Sequence, residues 1–164
     1  LGALQSLWTQ DTPEFSGQFY RYSGLKFSPK PLQTPYPPLL IGGSSTAARR
    51  RVARFGDGWH TLRQSPSQFA DGRRDIFERV AAAGRDASEL QFSLTLPMRF
   101  TGTTPGTPVQ DRTALTGTDD DIVETIKAYQ AAGLDEIVVG VSSADPAENT
   151  DAMAHFMKQV WSKL

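Results

Sequence analysis

The sequence has no cysteine and only two histidines, His60 and His155. Without thiols there is no disulfide framework, no thiolate metal site and no thiol nucleophile. Two histidines far apart in sequence argue against a histidine-built zinc centre, and no metal site is expected. No apolar run approaches the roughly 20 residues needed to span a bilayer, so no membrane role is expected. The first residues, Leu1 to Trp8, lack the basic start and long apolar centre of a signal peptide. A cytoplasmic protein is expected. The formal net charge of -1 gives no electrostatic reason to expect nucleic acid as a partner. Gly-x-Gly-x-x-Gly is absent, and so is the Gly-Lys-Ser/Thr of a P-loop. There is no repeat of fixed period, no low-complexity tract and no convincing internal domain boundary. The chain begins on Leu rather than Met, inside a helix-like Leu/Trp pattern, and reads as a fragment.

What is present is a globular balance. Of 164 residues, 38% are hydrophobic and 21% charged, enough for one domain with a real core. Residues 1–8 read as the tail of a helix. Residues 10–38 form an entry segment rich in Pro, Gly, Tyr and Phe. Pro29, Pro31, Pro35, Pro37 and Pro38 exclude a helix there. From residue 39 the pattern becomes regular. Leu39-Leu40-Ile41 is expected to be a strand buried on both faces. A helix follows through Phe55, with Gly56 ending it. Asp57 to Thr61 is a second strand, and Ser65-Pro66 opens a helix whose apolar face holds Phe69, Ile76, Phe77 and Val80. Phe92 to Met98 is a third strand. Residues 101–117 form a long loop of the kind that often serves as a lid or binding loop. Thr118 begins a helix, capped by a Thr118–Asp121 box. Glu136 to Val141 is the clearest strand. The last helix carries an apolar stripe of Met153, Phe156, Met157, Val160, Trp161 and Leu164, and these side chains are expected in the core. Four strand–helix alternations argue an α/β fold with a parallel sheet.

The segment with the most chemistry is Ile41-Gly42-Gly43-Ser44-Ser45-Thr46. A strand enters two glycines and then a helix that starts on hydroxyl residues. Glycine allows positive φ and close approach of the backbone to a ligand. The first N–H groups of a helix have no internal partner and, with the dipole, attract an anion. Phosphate is the anion this pattern suits best. The plainer reading is that Ser44 or Ser45 merely caps the helix.

Other residues point less sharply. Arg49, Arg50, Arg51 and Arg54 follow the turn. One could reach a phosphate, but a solvated face or pairing with Asp57 is the expectation. His60 lies at the end of the expected second strand, where barrel enzymes place active-site groups; it is an acid/base or ligand-contact candidate set against a structural role. His155 is given no function. Asp119, Asp120 and Asp121 resemble a metal cluster, but helix capping accounts for them. No Ser/His/Asp constellation is visible, so catalytic residues stay unnamed.

Several segments in order resemble the luciferase-like monooxygenase family. They are Phe15-Ser16-Gly17-Gln18-Phe19-Tyr20, Phe27 to Gln33 with its Pro29-Lys30-Pro31, Pro35 to Ser44, Ala47 to Trp59 with Gly56-Asp57-Gly58-Trp59, Ala83-Gly84-Arg85-Asp86 and Ala131 to Val139. The resemblance implies a TIM (β/α)8 barrel, of which residues 39–164 are units five to eight, the C-terminal half. A whole barrel of this type needs about 250 residues. It also implies an oxidoreductase that transfers hydride or oxygen to a small organic substrate, using the deazaflavin F420 or alternatively FMN. The cofactor phosphate then sits at Gly42, Gly43, Ser44, Ser45 and Thr46. Acid/base groups are expected in the absent first half, so the fragment alone is expected to be inactive. It is expected either to form a homo-oligomer or to pair with that half.

Overall fold

The computed structural model describes residues 1–141 and 143–164, which fall into two compact units, Leu1–Leu39 and Leu40–Leu164. In the first unit, helix α1 (Gly2–Thr9) precedes a two-residue antiparallel ladder of β1 (Phe15–Ser16) and β2 (Arg21–Tyr22). The proline-rich stretch after it is irregular, as its missing N–H groups require. Lys30 explains part of the Pro-Lys-Pro segment. Its ammonium donates to the carbonyls of Leu7 and Gln10, both at 2.6 Å, and so caps the C-terminal end of α1. Tyr36 accepts a hydrogen bond from Gln5 at 2.8 Å and lies against Trp8.

The second unit is a parallel sheet with helical crossovers. Its elements are β3 (Leu40–Gly42), α2 (Thr46–Phe55), β4 (Gly58–Leu62), α3 (Pro66–Ala82), β5 (Gln91–Phe100), β6 (Leu115–Gly117), α4 (Asp119–Ala131), β7 (Glu136–Val141) and α5 (Pro146–His155). β3, β4, β5 and β7 pair in parallel in chain order, and β6 adds a short parallel ladder to the far end of β5. The four expected strand–helix units are all present. The expected long loop is instead pinned. It holds a single 3-10 turn (Val109–Asp111) and β6, and buried Arg112 fixes it by donating to Thr107 O at 3.1 Å, Asp121 O at 3.1 Å and Thr125 Oγ1 at 3.0 Å.

Alternation along the strands separates two faces. Ile41, Trp59, Phe92, Leu94, Leu96 and Met98 point toward the helices and are buried. Trp59 stacks on Phe69 of α3 at 5.3 Å, and both rings meet Phe92 edge-on at 6.5 Å. Tyr129 of α4 closes this cluster. Its hydroxyl lies 2.6 Å from Gln64 O and 2.8 Å from Arg112 O, and burial raises its pKa above the ordinary phenol value. The opposite face carries Leu40, Gly42, His60, Leu62, Ser93, Thr95 and Val138. Leu40, Leu62 and Val138 are 43%, 62% and 41% exposed.

This face corrects two expectations. β3 is buried on one side only, because within the unit helices cover just one face. The stripe of the last helix is also only partly internal. Phe156 and Val160 are buried, whereas Met153, Met157 and Trp161 are exposed. The helix widens into a π turn over Phe156–Val160, which breaks the 3.6-residue period on which the stripe was drawn.

Helix ends follow the sequence signals closely. Ser65–Gln68 and Thr118–Asp121 form capping boxes, and Gly84 and Gly133 take φ of 68° and 87° just beyond α3 and α4. Asp119, Asp120 and Asp121 each have a protein partner: His155 at 2.8 Å, Lys163 at 2.6 Å, and Thr118 with Arg112. Thr118 holds the Asp121 carboxyl below the usual carboxylate range by hydroxyl and backbone N–H bonds, and Arg112 adds to the effect.

A Cβ at Gly72 would lie 2.5 Å from the buried indole of Trp59. Helix propensity favours Gly72→Ala by about 1 kcal/mol, but overpacking against a fixed ring costs about 1–3 kcal/mol. Urea unfolding should show net destabilisation, and a raised midpoint would contradict this packing. For Asp121, a depressed folded pKa means stability that is present above the unfolded value of about 3.9 and lost as pH falls through the folded one. Asp121→Asn should lower the melting temperature at pH 7. The gap to wild type should narrow on acidification below about pH 4; a gap constant with pH would refute the assignment.

Candidate functional site at the sheet rim

Parallel strands deliver their C-terminal ends to one rim. On it β3 enters the Gly42–Thr46 turn. Gly43 has φ of 107°, a region that side chains rarely adopt and glycine enters freely. Ser45 is the N-cap of α2, its Oγ accepting from Ala48 N at 3.2 Å. Of the two hydroxyls proposed as cap, Ser45 takes the role and Ser44 does not. Residues 42–46 are all exposed. The N–H groups of Thr46 and Ala47 lie in the first helical turn, where a helix offers no internal acceptor. A Cβ at Gly42 would meet nothing within 4 Å, so the turn has an open side. Open backbone, first-turn N–H groups and three hydroxyls form a donor set that suits a phosphate.

The turn is held from the next strand. Trp59 Nε1 donates to Gly43 O at 2.7 Å, and Gly43 N–H donates to His60 O at 3.1 Å. Both sides of Gly43 are therefore tied to β4. Sequence reasoning placed Trp59 within a family-like segment but missed this bond. Its signal was the apolar parity of Trp59 with Phe92 across the sheet.

Arg49 reaches the turn from α2, but through a carbonyl. Its Nη1 donates to Ser44 O at 2.8 Å, and its Nε pairs with Asp75 at 2.5 Å. The partner of Arg49 is thus Asp75 of α3. Arg79 and then Arg49 hold the Asp75 carboxyl below its ordinary range. Arg50, Arg51 and Arg54 line a shallow groove of about 700 Å³ between α2 and α3. Arg85, from the Gly-Arg-Asp segment, donates to the carbonyls of Val52, Ala53 and Gly56 at 2.9–3.0 Å. It caps the C-terminal end of α2, a role that sequence alone did not show.

His60 is inside β4. Its Nδ1 lies 2.8 Å from Ser93 Oγ and its Nε2 3.1 Å from Thr95 Oγ1. With both nitrogens engaged by hydroxyls, the ring is built into the uncovered sheet face. His155 packs edge-on against Phe100 at 4.5 Å and pairs with Asp119, far from the turn in the sequence of elements.

Residues 1–104 match the family model described as luciferase-like monooxygenase. The chain belongs to the luciferase-like monooxygenase family. Over 82 residues, half of the chain, it is 42% identical to an FMNH2-dependent dimethylsulfone monooxygenase of Pseudomonas putida, a match covering 23% of that protein. A monooxygenase from Streptomyces bottropensis superposes with a TM-score of 0.79 at 20% identity, over 99% of this chain and 59% of that one. A coenzyme F420-dependent tetrahydromethanopterin reductase from Methanopyrus kandleri gives 0.76 at 14% identity, over 97% and 60%. The chain thus spans about 60% of these luciferase-like barrels. At such identities the likeness carries the fold alone: an α/β parallel sheet like part of a luciferase-like TIM barrel. Among the described residues, no helix is long and apolar enough to cross a membrane.

The Trp59 bond yields a test that needs no ligand. Trp59→Phe keeps an aromatic ring and removes the donor to Gly43 O. Losing one buried hydrogen bond costs about 1 kcal/mol. Amide exchange at residues 43–46 should accelerate more than at α4. Equal protection in both proteins would show that the turn does not depend on the indole.

Proposed function

We propose that this chain forms the cofactor-phosphate wall of a flavin- or deazaflavin-dependent oxidoreductase, with the phosphate at Gly42, Gly43, Ser44, Ser45 and Thr46. The observation that carries the reading is the open turn at the N-terminus of α2, on the C-terminal rim of a parallel sheet. Thr46 and Ala47 N–H groups with the hydroxyls of Ser44 and Thr46 would hold the phosphate, while Ser45 stays committed to the cap. When bound, the cofactor supplies the electrons; the chain positions it and shapes one side of the pocket.

Between the two cofactors, support divides unevenly. The F420-dependent neighbour is 14% identical, whereas the FMNH2-dependent relative is 42% identical across half the chain. Reduced FMN is therefore the favoured occupant and F420 the second reading. The substrate is a small organic molecule.

We also propose that the uncovered sheet face, with exposed Leu40, Leu62 and Val138, packs against the further strand–helix units that longer relatives carry. Activity would need that contact, and the chain alone would self-associate through the same face.

Gly42 gives the direct test, because its open space accepts a side chain without a clash. Gly42→Asp and Gly42→Asn differ in charge and hardly in shape. FMN and F420 are titrated against both by fluorescence. The Asp variant should bind at least about tenfold more weakly, equivalent to roughly 1.4 kcal/mol. Equal affinities for Asp and Asn would remove the phosphate from this turn.

A further inference from the structure

Charge is spread unevenly over the helical side of the second unit. The helix α2 carries four arginines and no carboxylate, α3 carries three of each, and α4 carries four carboxylates against Lys127. α3 touches both neighbours and lies between them. The layer therefore runs from basic through neutral to acidic, on the side of the sheet opposite Leu40, Leu62 and Val138. The formal net charge of -1 hides this gradient. Residues 40–85 hold nine arginines and four carboxylates, whereas residues 86–164 hold twelve carboxylates and five Lys or Arg.

The charges at both ends of the gradient point outward. Arg50, Arg51 and Arg54 are exposed. They line the groove between α2 and α3 with Ala47, Phe55 and Ala83, and among the described residues no carboxylate lines it. On α4 the side chains of Asp120 and Glu124 are 86% and 61% exposed. Lys163 meets Asp120 at 2.6 Å, an exposed pair that solvent screens, and Arg112 approaches Glu124 only to 3.6 Å. Arg50 and Arg54 are four positions apart on α2, as Asp120 and Glu124 are on α4. Each pair thus stands on one helix face with the same rise of about 6 Å.

We infer that this helical layer is an isologous interface for a second copy of the chain. A twofold axis over α3 lays each copy's α2 on the other's α4. Arg50, Arg51 and Arg54 then meet Asp120 and Glu124 twice over. α3 meets α3, where Arg74 and Asp71 already neutralise each other. A parallel offset that set α2 on α2 would oppose arginine to arginine, so charge fixes the pairing as well as favouring it. The three helices have 10, 17 and 13 residues. At about 1.5 Å per residue and about 9 Å between axes they present roughly 600 Å², toward the small end of specific interfaces. The dimer is accordingly weak and sensitive to salt. It uses neither the uncovered sheet face nor a bound cofactor, and so stands apart from the cofactor reading.

Sedimentation velocity of the whole chain at rising salt reads this interface. Wild type should dimerise at about 0.05 M salt, and its dissociation constant should rise at least about tenfold by about 0.5 M as the charges are screened. Arg50→Glu with Arg51→Glu reverses the balance on the outer side of α2, and Asp120→Lys with Glu124→Lys reverses it on α4. Each variant alone should be monomeric, and an equimolar mixture should form a heterodimer, because every basic helix again finds an acidic one. Far-UV circular dichroism checks that each is folded; if Asp120→Lys disturbs the start of α4, Glu124→Lys alone takes its place. Leu62→Ser, on the opposite face, should leave the salt dependence intact. A wild type that stays monomeric at low salt, self-association that salt leaves unchanged, or reversed variants that fail to pair on mixing would overturn the inference. Self-association lost in Leu62→Ser and kept in the arginine variant would also overturn it and assign the contact to the sheet face. None of these outcomes bears on FMN binding by the Gly42 variants.

Discussion

The hydrogen bond from Trp59 to Gly43 O joins the two halves of what matters in this molecule, its core and its rim. One end of the indole is fully buried among Phe69, Phe92 and the backbone of Gly72. The other end reaches the glycine turn at 2.7 Å. An indole N–H in an apolar core needs a partner, and an irregular turn at a sheet edge needs an anchor. Each satisfies the other. The position of α3, set by how closely Gly72 approaches the ring, is thereby transmitted to the glycine turn.

The sheet is unequal on its two faces, and the inequality organises the chemistry. Aromatic and aliphatic side chains under the helices supply the burial that drives folding. The other face mixes exposed Leu40, Leu62 and Val138 with a hydroxyl-bonded histidine. Apolar side chains exposed together on one face are the kind of surface that marks interaction sites. The rim belongs to neither face, so its residues are free to differ without disturbing the core.

Much of this was legible in the chain. Strands and helices were set by periodicity, and their limits by Ser65-Pro66, Thr118, Gly84 and Gly133. The turn was legible because a glycine pair ends the strand and a hydroxyl residue caps the helix that follows. Three things were not. The exposure of Leu40 could not be read, because an apolar triplet looks alike whether one face or two are covered. The outward turn of Met157 and Trp161 depended on a π turn that has no clear sequence mark. The roles of Arg85 and Lys30 arise from contacts 20 or more positions away in the chain. Local pattern is blind to such contacts.

The capping of α2 by Arg85 has a consequence for the opposite end of that helix. Arg85 grips three carbonyls at its C-terminus, while Ser45, Gly43 and Trp59 fix its N-terminus. Hydrogen bonds at both ends restrain the helix from fraying. Its first-turn N–H groups are preorganised, so their dipoles need little rearrangement to meet a charge. The helix is then less a flexible arm than a fixed dipole set at the rim of the sheet.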